Sequence, residues 1–132
     1  MKTMTCGFMF NEDYSEVLLI NKNRPDWQNG KMNGIGGKIE SDESPHECMI
    51  REFEEETGIS DTTWIRLCEL WNKDWMVYFF WTVGDIHSAK ATTDEVPQVV
   101  QTNNLPDNVI ENLHWLVHLA MDRNADGYNV RK

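Results

Sequence analysis

The residues of this chain best suited to chemistry are three glutamates, Glu52, Glu55 and Glu56, spaced i, i+3 and i+4. On an α-helix that spacing places all three carboxylates on one face. Like charges so placed repel one another and weaken the helix unless a cation sits among them. The one neighbouring base is Arg51, four residues before Glu55 and so placed to hold and orient it. Hard oxygen ligands on a rigid face suit Mg²⁺ or, as a substitute, Mn²⁺. Such ions clamp phosphate oxygens and lower the pKa of a bound water. Just upstream, Asn33-Gly34-Ile35-Gly36-Gly37 is rich enough in glycine to bring a backbone carbonyl to a metal and amides to phosphate oxygens. Lys38 adds a point charge able to balance leaving-group oxygens. These pieces converge on phosphoryl or pyrophosphoryl hydrolysis.

The carboxylates need a helix to hold them, and its ends are written in the sequence. Ser44 fits the N-cap, Pro45 the first helical position and Glu47 the third, which makes an S-x-x-E capping box. Gly58 fits the left-handed stop. The helix therefore runs over 45–57, with Met49, Ile50 and Phe53 as the apolar stripe that anchors it to a sheet. Residues 3–10 and 16–20 read as strands around a turn at Glu12-Asp13, and 21–31 as a polar loop. The glycine stretch 33–37 reads as no regular element. Residues 64–71 and 75–83 read as a strand pair around a turn at 72–74, and 96–101 as a further short strand. Leu113, Leu116, Val117 and Ala120 give 105–121 a helical period, and 122–132 reads as a polar tail. The order of strands, helix, strands, helix describes a single α/β (α+β) layered domain over 1–132.

Composition narrows the partners. The 132 residues fit one domain, and 40% hydrophobic with 26% charged residues is an ordinary globular balance. No apolar run is long enough to span a bilayer, and the N-terminus lacks the pattern of a signal peptide, so the expected location is the cytoplasm and no membrane partner is expected. The net charge of −10, with only 12 lysines and arginines, excludes duplex nucleic acid as a partner. A small polyanion screened by cations is still compatible. Cys6, Cys48 and Cys68 form no CxxC pair and read as buried apolar residues. Asp122-Arg123-Asn124-Ala125-Asp126-Gly127 imitates the start of an EF-hand loop, but the chain ends before the position of its bidentate glutamate. His114 and His118 share a two-ligand spacing without an HExxH glutamate and read as helix-surface or core-edge residues.

Gly37, then Glu43, then Arg51-Glu52-Phe53-Glu54-Glu55-Glu56-Thr57-Gly58-Ile59 resembles the Nudix box, G-x5-E-x7-R-E-U-x-E-E-x-G-U, with every fixed position filled. The resemblance to the Nudix hydrolase family implies an α/β/α sandwich with a central mixed sheet and the catalytic helix at 45–57. It also implies divalent ions held between the box carboxylates and a substrate pyrophosphate, which water attacks at phosphorus. Under that resemblance Glu52, Glu55 and Glu56 form the metal shell, and Gly36 gives its carbonyl to a metal. Arg51 orients a glutamate, Glu43 is partly structural, and either Glu52 or Glu55 serves as base. A further acid outside the box often completes such sites, and Glu95 is the candidate.

The stretch Asn33–Lys38, with Trp27 upstream, is similar to one in the mutator-type subfamily that hydrolyses oxidised purine nucleoside triphosphates. That resemblance implies that Asn33 bonds a base and Trp27 lines its pocket. The subfamily's aspartate pair at the start of the last helix is matched here by Glu111-Asn112, a departure in hydrogen-bonding character. Among the tryptophans, Trp27 and Trp71 are expected at the pocket. The implied substrate is a purine (d)NTP, including an oxidised one such as 8-oxo-dGTP, converted to the monophosphate and pyrophosphate by a monomer or homodimer. Two alternatives are a silent Nudix-fold nucleotide sensor, against which the intact box argues, and an RNA 5′-end pyrophosphohydrolase, against which the acidic balance argues.

Overall fold

The computed structural model describes residues 1–122 and the strand at 128–131. Seven strands form one mixed sheet: β1 (Lys2–Phe10), β2 (Glu16–Asn21), β3 (Met32–Asn33), β4 (Ile65–Trp71), β5 (Trp75–Val83), β6 (Pro97–Gln101) and β7 (Tyr128–Arg131). Among the described residues there are also two α-helices, α1 (Pro45–Thr57) and α2 (Leu113–Met121), and two short 3-10 helices at Asp26–Gln28 and Ile86–Ser88. The strand order is β3-β2-β1-β5-β4-β7, and β6 pairs with the free side of β2. β1 runs parallel to β5 along its whole length, from Lys2 opposite Trp75 to Phe10 opposite Val83. β1 meets β2 antiparallel only at Met9 and Phe10.

Alternation along the strands builds two cores. From β1, Cys6, Phe8 and Phe10 point to the α2 side with Val17 and Leu19 of β2, and there they meet Leu113, Leu116 and Val117. Met9, Leu18 and Ile20 point the other way, toward Met49 and Phe53 of α1. A strand covered on both faces has this near-continuous apolar run with a period of two. Phe53 stands edge-on to Trp64 with ring centroids 4.8 Å apart, and truncating such a side chain costs roughly 3–5 kcal/mol. Gly7 lets α1 come this close, because a Cβ there would meet the Met49 sulfur at 2.8 Å.

Helix α1 ends as its sequence dictates. The Ser44 hydroxyl accepts the Glu47 amide at 3.1 Å, and the Glu47 carboxylate accepts the Ser44 amide at 2.8 Å. Gly58 caps the other end at φ 78°. The buried stripe uses Cys48, Met49, Phe53 and Thr57, while Ile50, expected in it, is 39% exposed.

Three expectations need correcting. The second helix was expected from 105 but begins at Leu113, because the preceding segment spends its backbone elsewhere: the Met32 amide donates to Asn108 O and the Ile110 amide donates to Met32 O, at 3.0 and 2.8 Å. The glycine stretch is not wholly irregular, since Asn33 belongs to β3 and Ile35 and Lys38 make isolated bridges to Gly7 and Met4 of β1. The polar tail is in part a strand: β7 pairs parallel with β4 from Cys68–Tyr128 to Trp71–Arg131. The EF-hand-like stretch lies, beyond Asp122, outside the described residues. No helix among the described residues is long and apolar enough to cross a membrane. Cys6, Cys48 and Cys68 are free and buried, as their lack of pattern implied.

Candidate active site

The glycine segment is laid against β1 and then against α1. The Thr5 amide donates to Gly37 O at 2.8 Å, and the Gly7 and Ile35 amides each donate to the other's carbonyl, at 2.7 and 3.0 Å. A side chain at Gly36 would drive its Cβ onto the Thr5 backbone carbonyl. A Cβ at Gly37 would stand 2.5 and 2.6 Å from the Glu52 carboxylate oxygens. The helix therefore presents Glu52 directly to the glycine backbone, and only glycine leaves room for it. Beneath them the Cys48 thiol donates to Lys38 O at 3.5 Å and lies 3.4 Å from the Thr5 hydroxyl.

Arg51 is the hub of the carboxylates. Its Nε and Nη2 donate to the two oxygens of Glu43 at 3.0 and 2.6 Å, the paired geometry that makes arginine–carboxylate contacts strong. Nη2 also donates to Lys38 O at 3.1 Å. Nη1 donates to Glu52 at 3.0 Å and to both oxygens of Glu55 at 3.3 Å. The Arg51 guanidinium holds the Glu43 carboxyl down to about 2, and Glu43 in turn raises the arginine above its ordinary value. Burial pushes the Glu52 and Glu56 carboxyls up, against the pull of Arg51 on the first and of the Thr93 hydroxyl on the second.

Glu95 is placed near this group but its oxygens are engaged. Burial alone would raise its carboxyl; the Asn23 amide at 2.8 Å and the Lys22 ammonium at 2.9 Å outweigh that and hold it below the usual range. The Arg24 amide also donates to it, at 3.2 Å. The same loop is pinned to α1 by the Thr92 hydroxyl on Glu55 O and by the Thr93 hydroxyl on Glu56 at 3.2 Å. Nothing in the sequence pointed to Lys22, because a lysine closing a strand has no pattern of its own.

Beside the glycine backbone opens a cleft of about 780 Å³. Trp27, Asn33, Gly36, Glu111 and Asn112 all line it, as do Lys22 and Gln28. Bridging at Met32 and Val109 is what carries Glu111 and Asn112 to the neighbourhood of Asn33. Trp75 lines the cleft with Phe79, whereas Trp71, expected there, does not. Trp71 lies opposite Met76, so it shares that residue's face of the sheet, while Leu70, Trp75, Val77 and Phe79 share the face turned to the cleft. The Lys38 side chain is exposed and outside this lining; its carbonyl is the part that acts, by holding Arg51.

The donors of the helix face fit a divalent cation by type: carboxylate oxygens from Glu52, Glu55 and Glu56, and a cradle at Gly37 that a Cβ would fill. Among the described residues no three such groups are gathered around one point. Arg51 Nη1 instead bridges Glu52 and Glu55.

Comparison with known proteins gives the same picture. The NUDIX domain matches residues 3–125. A GDP-mannose pyrophosphatase of Yersinia pestis (strain Pestoides F) is 31% identical over 129 residues, covering 90% of this chain; the chain spans only 60% of that relative's length. Among solved structures, a MutT NUDIX hydrolase from Burkholderia pseudomallei superposes with a TM-score of 0.75 at 18% identity, covering 89% of this chain and 96% of the other. An ADP-ribose pyrophosphatase from Streptococcus suis 89-1591 superposes with a TM-score of 0.72 at 19% identity, covering 99% and 98%. With the box complete, the sandwich fold shared nearly end to end and the domain matched over 3–125, the chain belongs to the Nudix family.

Proposed function

We propose that this chain hydrolyses the pyrophosphate link of a purine nucleoside diphosphate derivative with the help of Mg²⁺ or Mn²⁺. The observation that carries the reading is the Glu52 carboxylate wedged between Arg51 and Gly37, the latter a residue that lines the cleft. Glu52, Glu55, Glu56 and the Gly36 carbonyl are the residues that would hold the cation. When bound, it would neutralise pyrophosphate oxygens and acidify a water. Glu52, the carboxylate with the most fixed position, accepts the proton of the attacking water; Glu55 is the second candidate for that role. The water oxygen bonds to phosphorus as the bridging P–O bond breaks, and the leaving phosphate takes the electron pair. Arg51 keeps the glutamates aimed by its bonds to Glu43 and Lys38 O. Glu95 enters as the residue that steadies Lys22 and the backbone at 23 and 24, since its oxygens are already engaged. Trp27, Asn33, Glu111 and Asn112 receive the nucleoside in the cleft.

The substrate class stands between a purine (d)NTP and a purine nucleoside diphosphate sugar. The likeness of Asn33–Lys38 to the mutator-type stretch supports the first. The 31% identity to a GDP-mannose pyrophosphatase supports the second. Incubation with dGTP, 8-oxo-dGTP, GDP-mannose, ADP-ribose and triphosphorylated RNA, with and without Mg²⁺, followed by mass identification of products, separates them. Mg²⁺-dependent release of a nucleoside monophosphate is the expected result. Binding without turnover of any of them would replace this reading by a nucleotide sensor.

A further inference from the structure

Arg51 serves two of the three carboxylates on the helix face and leaves the third to another partner. Its Nη1 reaches Glu52 and Glu55, and its remaining donors go to Glu43 and Lys38 O. Among the described residues the Glu56 carboxylate accepts one hydrogen bond, from the Thr93 hydroxyl to Oε2 at 3.2 Å. Thr93 lies outside the box, on the segment that joins the 3-10 helix at Ile86–Ser88 to β6. That segment is fixed at both ends. The Lys90 amide donates to Thr57 O at 2.9 Å and the Thr92 hydroxyl to Glu55 O, which satisfies carbonyls that the end of a helix leaves without amides. Beyond Thr93, Asp94 O accepts the Asn23 side-chain amide at 2.7 Å and the Glu95 carboxylate accepts the Asn23 backbone amide at 2.8 Å.

The Thr93 hydroxyl has one proton and two acceptors within reach, Glu56 Oε2 and Glu95 O, both at 3.2 Å. The Glu95 amide donates to Thr93 Oγ1 at 3.1 Å and so occupies the oxygen. An ionised carboxylate draws a donor more strongly than a neutral carbonyl does, so the proton turns to Glu56. A hydroxyl orients a carboxylate without bringing charge to it. Arg51 brings a positive charge to the two glutamates it holds; Thr93 brings none to Glu56, whose charge is left for a divalent ion. We propose that Thr93 is a positioning residue for the reaction, holding Glu56 in the orientation that receives the cation. That role presupposes the cation-binding function proposed above for Glu56.

Binding of Mn²⁺ to the nucleotide-free chain, followed by loss of the paramagnetic resonance signal of the free ion, tests this apart from turnover. Thr93→Val keeps the branched shape and removes the hydroxyl. It should weaken Mn²⁺ binding roughly three- to tenfold, the range of a single hydrogen bond, and Thr93→Ser should restore it. The Mg²⁺ concentration that gives half-maximal turnover should rise in step. Thr92→Val loosens the same segment from α1 without touching the Glu56 carboxylate, and should weaken Mn²⁺ binding less. Thr92 and Thr93 are both exposed, so each variant is expected to fold, which circular dichroism establishes. Unchanged Mn²⁺ binding by Thr93→Val, no recovery in Thr93→Ser, or an equal loss in Thr92→Val would overturn the positioning role. Absence of Mn²⁺ binding by the unaltered chain would overturn that role and the cation site together. Mn²⁺ binding that depends on Thr93, in a chain that cleaves none of the nucleotides, would instead overturn the hydrolase reading alone.

Discussion

Replacing Gly37 by alanine tests whether the position of Glu52, and not merely its presence, matters. The new Cβ would stand 2.5 Å from one carboxylate oxygen and 2.6 Å from the other. Ordinary contact needs about 3.4 Å or more, so the carboxylate must retreat by about 0.9 Å. The obstacle is the far end of one flexible side chain, and turning it off its rotamer costs about 0.5–1.5 kcal/mol. Alanine also restricts the unfolded chain, which returns about 0.4–1 kcal/mol. The two nearly cancel, so the thermal midpoint should stay within a few degrees of the unaltered protein. Turnover should not, because a 1 Å misplacement in a reacting constellation costs on the order of 100-fold. Gly36→Ala is the contrast, since its Cβ meets the Thr5 backbone carbonyl, which cannot turn aside, and stability should fall with activity. The assay is steady-state turnover at saturating Mg²⁺ beside a thermal melt. If Gly37→Ala kept more than half the turnover with an unchanged melt, the claim that this glycine exists to seat Glu52 would be wrong.

Other predictions concern the same helix. Glu55→Gln should fold normally and lose on the order of 100-fold or more in turnover, measured by single-turnover product release, since it removes a charged ligand of the proposed cation site. Glu43→Gln should destabilise the fold by about 2 kcal/mol in urea titration, because it breaks the paired contact to Arg51. Its pH dependence has a defined sign. The folded carboxyl is held at about 2, below its ordinary value, so its contribution is complete above the ordinary range and is lost as pH falls from 4.5 toward 2. The Gln variant should show a flatter loss of stability across that interval, and an unchanged slope would remove Glu43 as the cause. Ser44→Ala should lower the thermal midpoint by about 4 °C through loss of the capping box, with little change in turnover per folded molecule.

Legibility in the sequence tracks how local each determinant is. Helix α1 was readable to both ends because its signals, Ser44, Pro45, Glu47 and Gly58, act on backbone groups within one turn of themselves. β5 was readable to the residue, since alternation and the Asn72–Asp74 turn are also local. The box glutamates could be placed on one face by spacing alone. What could not be read depends on partners distant in sequence. β3 exists because Ile20 and Asn21 lie opposite it, and the late start of α2 because Met32 engages Asn108 and Ile110. β7 needs the edge left open by β4. The Lys22–Glu95 pair joins residues with no shared motif. The orientation of the Gln28 amide is a similar case: it is set by Gly34 acting through Asn33, a chain of two hydrogen bonds that no composition or period encodes.

The parallel union of β1 with β5 also has a bearing on how the protein is made. Residues 2–10 are synthesised well before the strand that completes them, 75–83, which leaves the ribosome only after the whole of α1 and the glycine segment. Until then β1 is paired along one side alone, by β2 at Met9 and Phe10 and by the glycine segment at Met4 and Gly7. Pairings this far apart in sequence close slowly because the intervening loop must first be ordered. A nascent chain that already contains every box residue should therefore be without a working site. Glu52 and Gly37 can face each other stably only once β1 has been fixed from both sides. The appearance of α1 alone therefore does not complete the site; the chain must also run on through β5, which closes the second side of β1.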